Sequence, residues 1–269
     1  MKTIPVLIAA ALAVISSSQL QAEWAHSLRL EGDAPSGRLN ISGINGDLTI
    51  EGVDGNEINI HSPELETPNQ EQPQQPRQPR QDGLRSLLNP GNDNSGLGLQ
   101  IEVLGTDVHV TGVRPHESAS FFFKVPRGMS LQVHGLVHGD VSVDGLGGDM
   151  EIVVAEGGIR VAQAASSVVL HSVNGDIDVA YDSYPSNRPS SINAVNGTVR
   201  VELPVESKAT LELQTINGDI FTDLPVDVKD RNISTWGGPR SILAAMNGGG
   251  EKLTVHAIND DVILQAPKN

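Results

Sequence analysis

The feature that most constrains the fold is a short unit that recurs along the chain. It consists of an apolar residue, an Asn-Gly-Asp turn and a short alternating strand, and its clear copies place the turn at 45–47, 174–176 and 217–219. Weaker copies carry it at 196–198 and 259–261. Asn and Gly tolerate positive φ angles, and the Asp can accept backbone N–H groups, so the unit predicts a sharp corner that leads into a strand. The residues assigned to this structural turn motif are Asn45, Gly46, Asp47, Asn174, Gly175, Asp176, Asn196, Gly197, Asn217, Gly218, Asp219, Asn259 and Asp260.

The spacing of the copies indicates a repeat architecture. The third turn positions, Asp176, Thr198, Asp219 and Asp261, are separated by 22, 21 and 42 residues, and 42 is twice 21. A fixed period in this range is typical of solenoids. We therefore predict an all-β β-solenoid with coils of about 21 residues, in which like turns stack and Asn side chains form ladders. The doubled step predicts a displaced turn near residues 247–250.

Two further signals extend this interpretation, and one alternative stays open. Gly139-Asp140 and Gly148-Asp149 carry the Gly-Asp half of the motif and are predicted to continue the repeat upstream. Pro267 and Lys268 follow the last strand and are interpreted as protection of an open sheet edge. Because Asn-Gly between alternating runs is also the strongest short hairpin signal, an antiparallel β-sandwich is the alternative fold.

Composition divides the chain into four parts. Residues 1–22 combine Lys2, an apolar run and a small, polar end, which is typical of a secretory signal peptide. Residues 23–62 alternate with period two and are predicted to form N-terminal β coils. Residues 63–98 are rich in Pro and Gln and are predicted to be a disordered insertion. Residues 99–269 are predicted to form the main solenoid, in one domain with 23–62.

Charge and cysteine content exclude several classes of function. The sequence has no cysteine, which excludes disulfides and thiolate metal sites and fits an exported bacterial protein. A net charge of −15 argues against nucleic acid as a partner, because phosphate contacts need a basic surface. No stretch after the signal peptide is apolar for long enough to span a membrane. The chain is therefore predicted to be periplasmic, secreted or on the bacterial cell surface, without a transmembrane segment after signal cleavage.

The repeated Val/Ile-Asn-Gly-Asp-Ile/Leu unit, followed by alternation, resembles the bacterial putative-adhesin family of exported β-solenoids, a domain of unknown function. The resemblance covers most of residues 26–62 and 100–265. It implies a right-handed β-solenoid in the bacterial envelope, and it implies no catalytic residues. The long Pro/Gln-rich insertion departs from the usual pattern of that family.

Few residues suggest chemistry. His134 and His138 are four apart and share a strand face, with His109 and His171 on other strands, but scattered surface histidines explain them more simply than a zinc site. The 145–149 stretch is one imperfect copy of a calcium-binding repeat. The aromatic run at 121–123 is interpreted as strand core. We predict no catalytic residue, no metal site and no cofactor.

The predicted function is that of a non-enzymatic, adhesin-like binding or structural protein of the envelope, with a glycan or an envelope protein as partner. The alternative is a polysaccharide-active enzyme, a lyase or a hydrolase, whose stacked corner carboxylates would act on a β-helix scaffold. Sugar-binding grooves normally use aromatic rings for stacking. The whole sequence has two Trp and two Tyr, which favours the non-enzymatic interpretation.

Overall fold

A computed structural model of the chain describes residues 26–30, 36–66, 93–113, 118–233 and 238–268, without the side chains of 136 and 137. The predicted signal peptide and most of the Pro/Gln-rich segment lie outside these ranges. Within them, no helix is both long and apolar enough to cross a membrane. The elements are β1 (His26–Arg29), β2 (Arg38–Ser42), β3 (Leu48–Val53), β4 (Glu57–His61), α1 (Pro63–Glu66), β5 (Leu99–Leu104), β6 (Asp107–Gly112), β7 (Phe121–Pro126), β8 (Ser130–His138), β9 (Val141–Asp144), β10 (Met150–Glu156), β11 (Ile159–Ala164), β12 (Val168–Asn174), β13 (Ile177–Tyr181), β14 (Ser190–Asn196), β15 (Val199–Glu202), β16 (Ala209–Thr215), β17 (Ile220–Thr222), β18 (Val226–Asn232), β19 (Arg240–Met246), β20 (Glu251–Ala257) and β21 (Val262–Gln265).

The strands form two sheets that face each other across one core. The ten-stranded sheet has the order β1-β4-β7-β3-β9-β11-β13-β15-β21-β17, and the eleven-stranded sheet has the order β18-β19-β16-β20-β14-β12-β10-β8-β2-β6-β5. Successive coils contribute one strand to each sheet, and neighbouring coils pair in parallel, as Leu170 with Ile192 and Ile177 with Val199. A sandwich of hairpins would pair them antiparallel. The predicted all-β solenoid is therefore confirmed.

The core follows from alternation along each strand. In β13, Ile177, Val179 and Tyr181 are buried, whereas Asp178 and Ala180 point outwards. Successive side chains of a strand face opposite sides, so the two sheets share one apolar interior of aliphatic residues. Phe121 and Phe123 belong to it with exposed fractions of 6% and 1%, as predicted for the aromatic run.

Coil length is less regular than the sequence indicated. The stacked glycines at positions 139, 157, 175 and 197 are separated by 18, 18 and 22 residues. Gly148 and Asp149 lie at the opposite corner, between β9 and β10, and the stack instead continues through Gly157. The prediction that residues 147–149 continue the motif was therefore wrong, because a Gly-Asp pair serves either corner.

The first and last coils are intercalated rather than terminal. The β2–β3 coil lies between the β6–β7 and β8–β9 coils. The β20–β21 coil lies between the β14–β15 and β16–β17 coils. This order explains the doubled step of 42 residues, since the coil that comes last in sequence precedes the β16–β17 coil in space. The interpretation of Pro267 and Lys268 as edge protection was wrong, because β21 is an interior strand.

Antiparallel strands close three of the four sheet ends. The β18–β19 hairpin covers β16, β5 covers β6, and β4 with β1 covers β7. The β18–β19 hairpin, which lies between the turns at 217–219 and 259–261, thus forms a cap. The turn at 247–250 joins β19 of this cap to β20, so its prediction as a displaced copy of the repeat corner was wrong. At the fourth end the three-residue strand β17 is the edge. Short edges of this kind limit edge-to-edge aggregation.

Candidate functional site

The predicted turn residues lie in one row, at the turn from the eleven-stranded into the ten-stranded sheet, which we call the asparagine corner. Asn196 Nδ2 donates to Asn174 Oδ1 at 2.7 Å, Asn259 donates to Asn196, and Asn217 donates to Asn259 Oδ1 at 2.7 Å. Asn196 and Asn259 thus both donate and accept, whereas Asn174 only accepts at one end of the row and Asn217 only donates at the other. Asn45 lies in the corresponding turn of the β2–β3 coil, outside this four-membered ladder.

Glycine is required at the asparagine corner because consecutive coils touch there through their backbones. A Cβ at Gly175 would lie 2.1 Å from the carbonyl oxygen of Gly157, and one at Gly197 would lie 2.2 Å from that of Gly175. Gly218 stands in the same way against the carbonyl oxygen of Asp260. Gly139 and Gly157 belong to the same stack of glycines although neither follows an Asn. In these two coils the glycine itself is therefore the only sequence signal of the corner.

The corner carboxylates cap the next coil. Asp47 Oδ1 accepts the backbone N–H of Asp140 at 3.0 Å, and Asp176 Oδ1 accepts that of Thr198 at 2.8 Å. Asp219 N–H donates to Asp261 Oδ1 at 2.8 Å. Arg240 forms an ion pair with Asp219. Such charge-assisted bonds hold the coils in register and engage the carboxylates that the enzyme hypothesis needs.

Asn259→Asp is expected to lower the free energy of unfolding by about 1–3 kcal/mol, because Asn259 makes two ladder bonds worth about 0.5–1.5 kcal/mol each. A carboxylate cannot donate to Asn196 Oδ1 and would repel it. Chemical denaturation measures the change. Asn232→Asp adds the same charge at an exposed position whose side chain makes no hydrogen bond to the described residues, and it should change stability by less than about 0.5 kcal/mol. Equal effects of the two substitutions would contradict a stabilising ladder.

The histidine candidates do not form a metal site. Among the described residues, no three His, Asp or Glu side chains are placed to hold a metal ion. His134 lies 3.7 Å from Glu151, and His138 lies 2.8 Å from Glu156, each as a pair at the surface. His171 lies elsewhere, on the outer face of β12.

The outer faces of the two sheets differ in chemistry. Ion pairs cover the ten-stranded sheet, for example Lys124 with Glu51 at 3.7 Å and Arg200 with Asp178 at 3.2 Å. The eleven-stranded sheet exposes apolar side chains such as Val169 at 44% and Leu243 at 41%. Both faces therefore carry ion pairs, since Lys252 also pairs with Glu212 on the eleven-stranded sheet, and this second face adds exposed apolar side chains.

A groove of about 330 Å³ runs across the strands of the eleven-stranded sheet, and we call it the outer groove. Its floor is a polar row in which adjacent strands pair His171 with Asn193, Asn193 with His256, and His256 with Gln214. Its wall is an apolar ridge, in which Ile216 is 37% exposed and Ile258 is 38% exposed. The ridge consists of Val195, Ile258 and Ile216.

The ridge residues are the apolar positions that precede Asn in the repeat unit. The repeat unit shows that the residue before Asn is apolar, but it does not say whether this residue faces the core or the solvent. Alternation was the available signal: Ile192 and Ala194 are buried, so Val195 has to point outwards. Of the polar row, only His171 was a candidate from the sequence, and Asn193, His256 and Gln214 were missed.

The lining of the outer groove contains no Asp, Glu, Lys or Arg, whereas an ion pair lies close to it on the same face. Glu212 and Lys252 pair at 2.9 Å further along the same face, and the hydrogen bond from Lys252 lowers the pKa of Glu212 below its ordinary value. In the groove, Nε2 of His256 is buried and has no hydrogen-bond partner among the described residues. A buried polar atom without a partner is costly, and because this nitrogen is closed to solvent, the cost falls on the stability of the fold.

Two tyrosines outside the groove have shifted acidities. The rings of Tyr181 and Tyr184 pack edge to face, with centroids 5.2 Å apart. Burial raises the pKa of Tyr184 to about 12 and raises that of Tyr181 well above its ordinary range. Both hydroxyls therefore stay protonated near neutral pH, and the pair contributes to packing at the start of the 182–189 loop.

Stacked corners, parallel coils and antiparallel caps define a two-sheet β-solenoid. Residues 98–264, more than half of the chain, match the Toastrack DUF4097 family, and the chain belongs to that family. The family match confirms the resemblance to the putative-adhesin family of unknown function that the repeat unit indicated.

Two solved structures resemble the chain at 10% sequence identity. One is a putative cell adhesion protein from Clostridium sporogenes ATCC 15579, with a TM-score of 0.40. The match covers 90% of this chain and 98% of the solved chain. The other is a putative adhesin from Bacteroides fragilis NCTC 9343, with a TM-score of 0.28. The match covers 90% of this chain and 95% of the solved chain. No protein with a curated function matches the sequence.

Proposed function

We propose that the protein is an exported, non-enzymatic β-solenoid that acts as an adhesin-like binding protein of the bacterial envelope. The outer face of the eleven-stranded sheet is the proposed binding surface. The observation that supports it is the outer groove of this face, whose lining contains no Asp, Glu, Lys or Arg and whose ridge side chains are exposed. Contiguous exposed apolar surface on a soluble protein marks an interaction site.

Binding is favoured over cleavage by where the carboxylates lie. Glycoside hydrolysis uses a pair of Asp or Glu residues that flank the scissile bond. The outer groove is lined by imidazole, amide and aliphatic side chains. The Asp residues of the asparagine corner accept backbone hydrogen bonds from the next coil, for example Asp47 from Asp140. The structure thus supports a surface that retains a ligand rather than one that cleaves it.

Export is supported by the signal-like residues 1–22 and by the absence of cysteine from the sequence. The proposed location is the periplasm or the cell surface, where glycans and envelope proteins are accessible to the chain. A purely structural task in the envelope would use the same scaffold without the groove.

The proposed function predicts that residues 23–269 co-sediment with envelope material and release no new reducing ends from it. Ile216→Lys places a charge on the ridge and should weaken binding at least tenfold. Ile263→Lys, on the outer face of the ten-stranded sheet, is the matched control and should change binding less than twofold. Absence of binding to every envelope fraction would overturn the proposal. New reducing ends that vanish when a corner Asp is replaced would establish the enzyme alternative instead.

A further inference from the structure

We infer that the outer groove holds an uncharged glycan chain that lies along the solenoid axis, across the strands. This inference rests on the proposed binding function and names the ligand class of the same surface. Charge, hydrogen-bonding capacity and shape each support it.

The charge of the groove selects a neutral ligand. None of the side chains that line it is Asp, Glu, Lys or Arg, although the whole chain carries a net charge of −15. An anionic polymer would be repelled by the surrounding surface and would find no Lys or Arg in the groove. A cationic polymer would find no carboxylate in it. An uncharged, polar ligand complements this surface best.

The polar row offers hydrogen-bonding groups at the spacing of the coils. Within the described part of the chain, the side chains of His171 and Gln214 make no hydrogen bond. Asn193 Nδ2 donates to Ser191 Oγ at 3.1 Å, which leaves Oδ1 available as an acceptor. Nε2 of His256 is closed to solvent, so the groups that the row offers to a ligand are those of His171, Asn193 and Gln214. Sugar hydroxyls both donate and accept, so one hydroxyl-rich chain can satisfy this mixed set.

The ridge and the length of the row fit a linear chain of sugar rings. Val195, Ile258 and Ile216 form one wall, against which the C–H faces of the rings can pack. From His171 to Gln214 the row crosses three inter-coil steps of about 4.8 Å, a span of about 14 Å. This length accommodates a short stretch of a longer glycan, and the groove is open along its length to solvent.

A polypeptide fits this groove less well. Extended peptides commonly bind by adding a strand to a sheet edge, where backbone groups are free. The groove lies on the face of interior strands, and the backbones of β14 and β20 are already paired with neighbours on both sides. A peptide there would leave its own backbone groups to side chains alone.

The test is affinity electrophoresis of residues 23–269 in gels that contain a neutral polysaccharide (dextran, amylose, galactomannan or β-1,3-glucan) or a charged one (polygalacturonate, hyaluronate or chitosan). At least one neutral polysaccharide should retard the protein, and the charged ones should not. Gln214→Ala and Ile258→Lys should each raise the dissociation constant at least tenfold. Ile263→Lys on the opposite face and Val169→Lys on the same face outside the groove should change it less than twofold. The melting temperature of each variant verifies its fold, and Asn193→Ala replaces any variant that fails this check.

The outcomes separate the two proposals. Retardation by charged polysaccharides only, binding to envelope proteins only, or equal effects of groove and control substitutions would each overturn the glycan inference and leave the binding function standing. Binding to an envelope extract without any retardation by the neutral polysaccharides would also overturn the glycan inference and leave the binding function standing. Absence of binding to extract and polysaccharides alike would overturn both.

Discussion

Gly139→Ala is expected to destabilise the protein by about 4 kcal/mol or more, an effect that few single substitutions reach. A Cβ at this position would lie 2.2 Å from the carbonyl oxygen of Gly46 and 2.4 Å from its carbonyl carbon. The atoms it meets are backbone, and hydrogen bonds such as Gly46 N–H to His138 O, at 2.8 Å, fix the distance between the coils. Neither coil can therefore move away without breaking the corner.

Gly55→Ala is the matched control, because the two glycines have nearly equal backbone angles. Gly139 has φ +127° and Gly55 has φ +124°, but nothing lies within 4 Å of a Cβ at Gly55. Gly55→Ala should cost only the backbone strain, about 1–3 kcal/mol. Denaturant titrations of both variants give the difference. Equal losses of stability would show that φ alone, and not the stacking of coils, requires the glycine.

Truncation after residue 250 is expected to abolish the cooperative fold of the C-terminal half. It removes the intercalated β20–β21 coil, including the buried side chains of Leu253, Val255, Val262 and Leu264. At about 1.5–3 kcal/mol for each buried side chain, the loss is comparable with the whole stability of a typical domain, about 5–15 kcal/mol. It also leaves β14, β15 and β16 without a neighbour on one side, and it leaves β17 without a paired strand among those described.

The measurement compares this truncation with removal of residues 267–269, which lie after the last strand. Far-UV circular dichroism, size-exclusion chromatography and thermal melting should show an aggregating or partly unfolded species for the first and a native protein for the second. A shortened chain that melts cooperatively near the temperature of the intact protein would contradict the intercalated order. In a solenoid whose coils follow sequence order, loss of the last coil only shortens the stack.

The repeat unit made the class of fold predictable, because a corner signal and a period-two strand are local properties of the sequence. The order of the coils was not predictable, because every unit has the same apolar pattern and a parallel register suits any two of them. Gly157 was missed since stacking requires only the absence of a Cβ there, without the preceding Asn. The outer groove was missed for a related reason: His256 and Gln214 are distant in sequence and meet only through the intercalation of β20.

The intercalated coils also determine when the chain can finish folding. The 209–222 coil is synthesised before the 251–265 coil, yet in the finished protein the later coil separates it from the 190–202 coil. Domains begin to fold from the N-terminus during synthesis, but here the earlier coils have to leave a gap of one coil until the final strand arrives. A chain that is cut short therefore exposes unpaired strand edges, which are targets for proteases and chaperones. The topology thus makes the 251–265 coil a condition for joining the coils on either side of it.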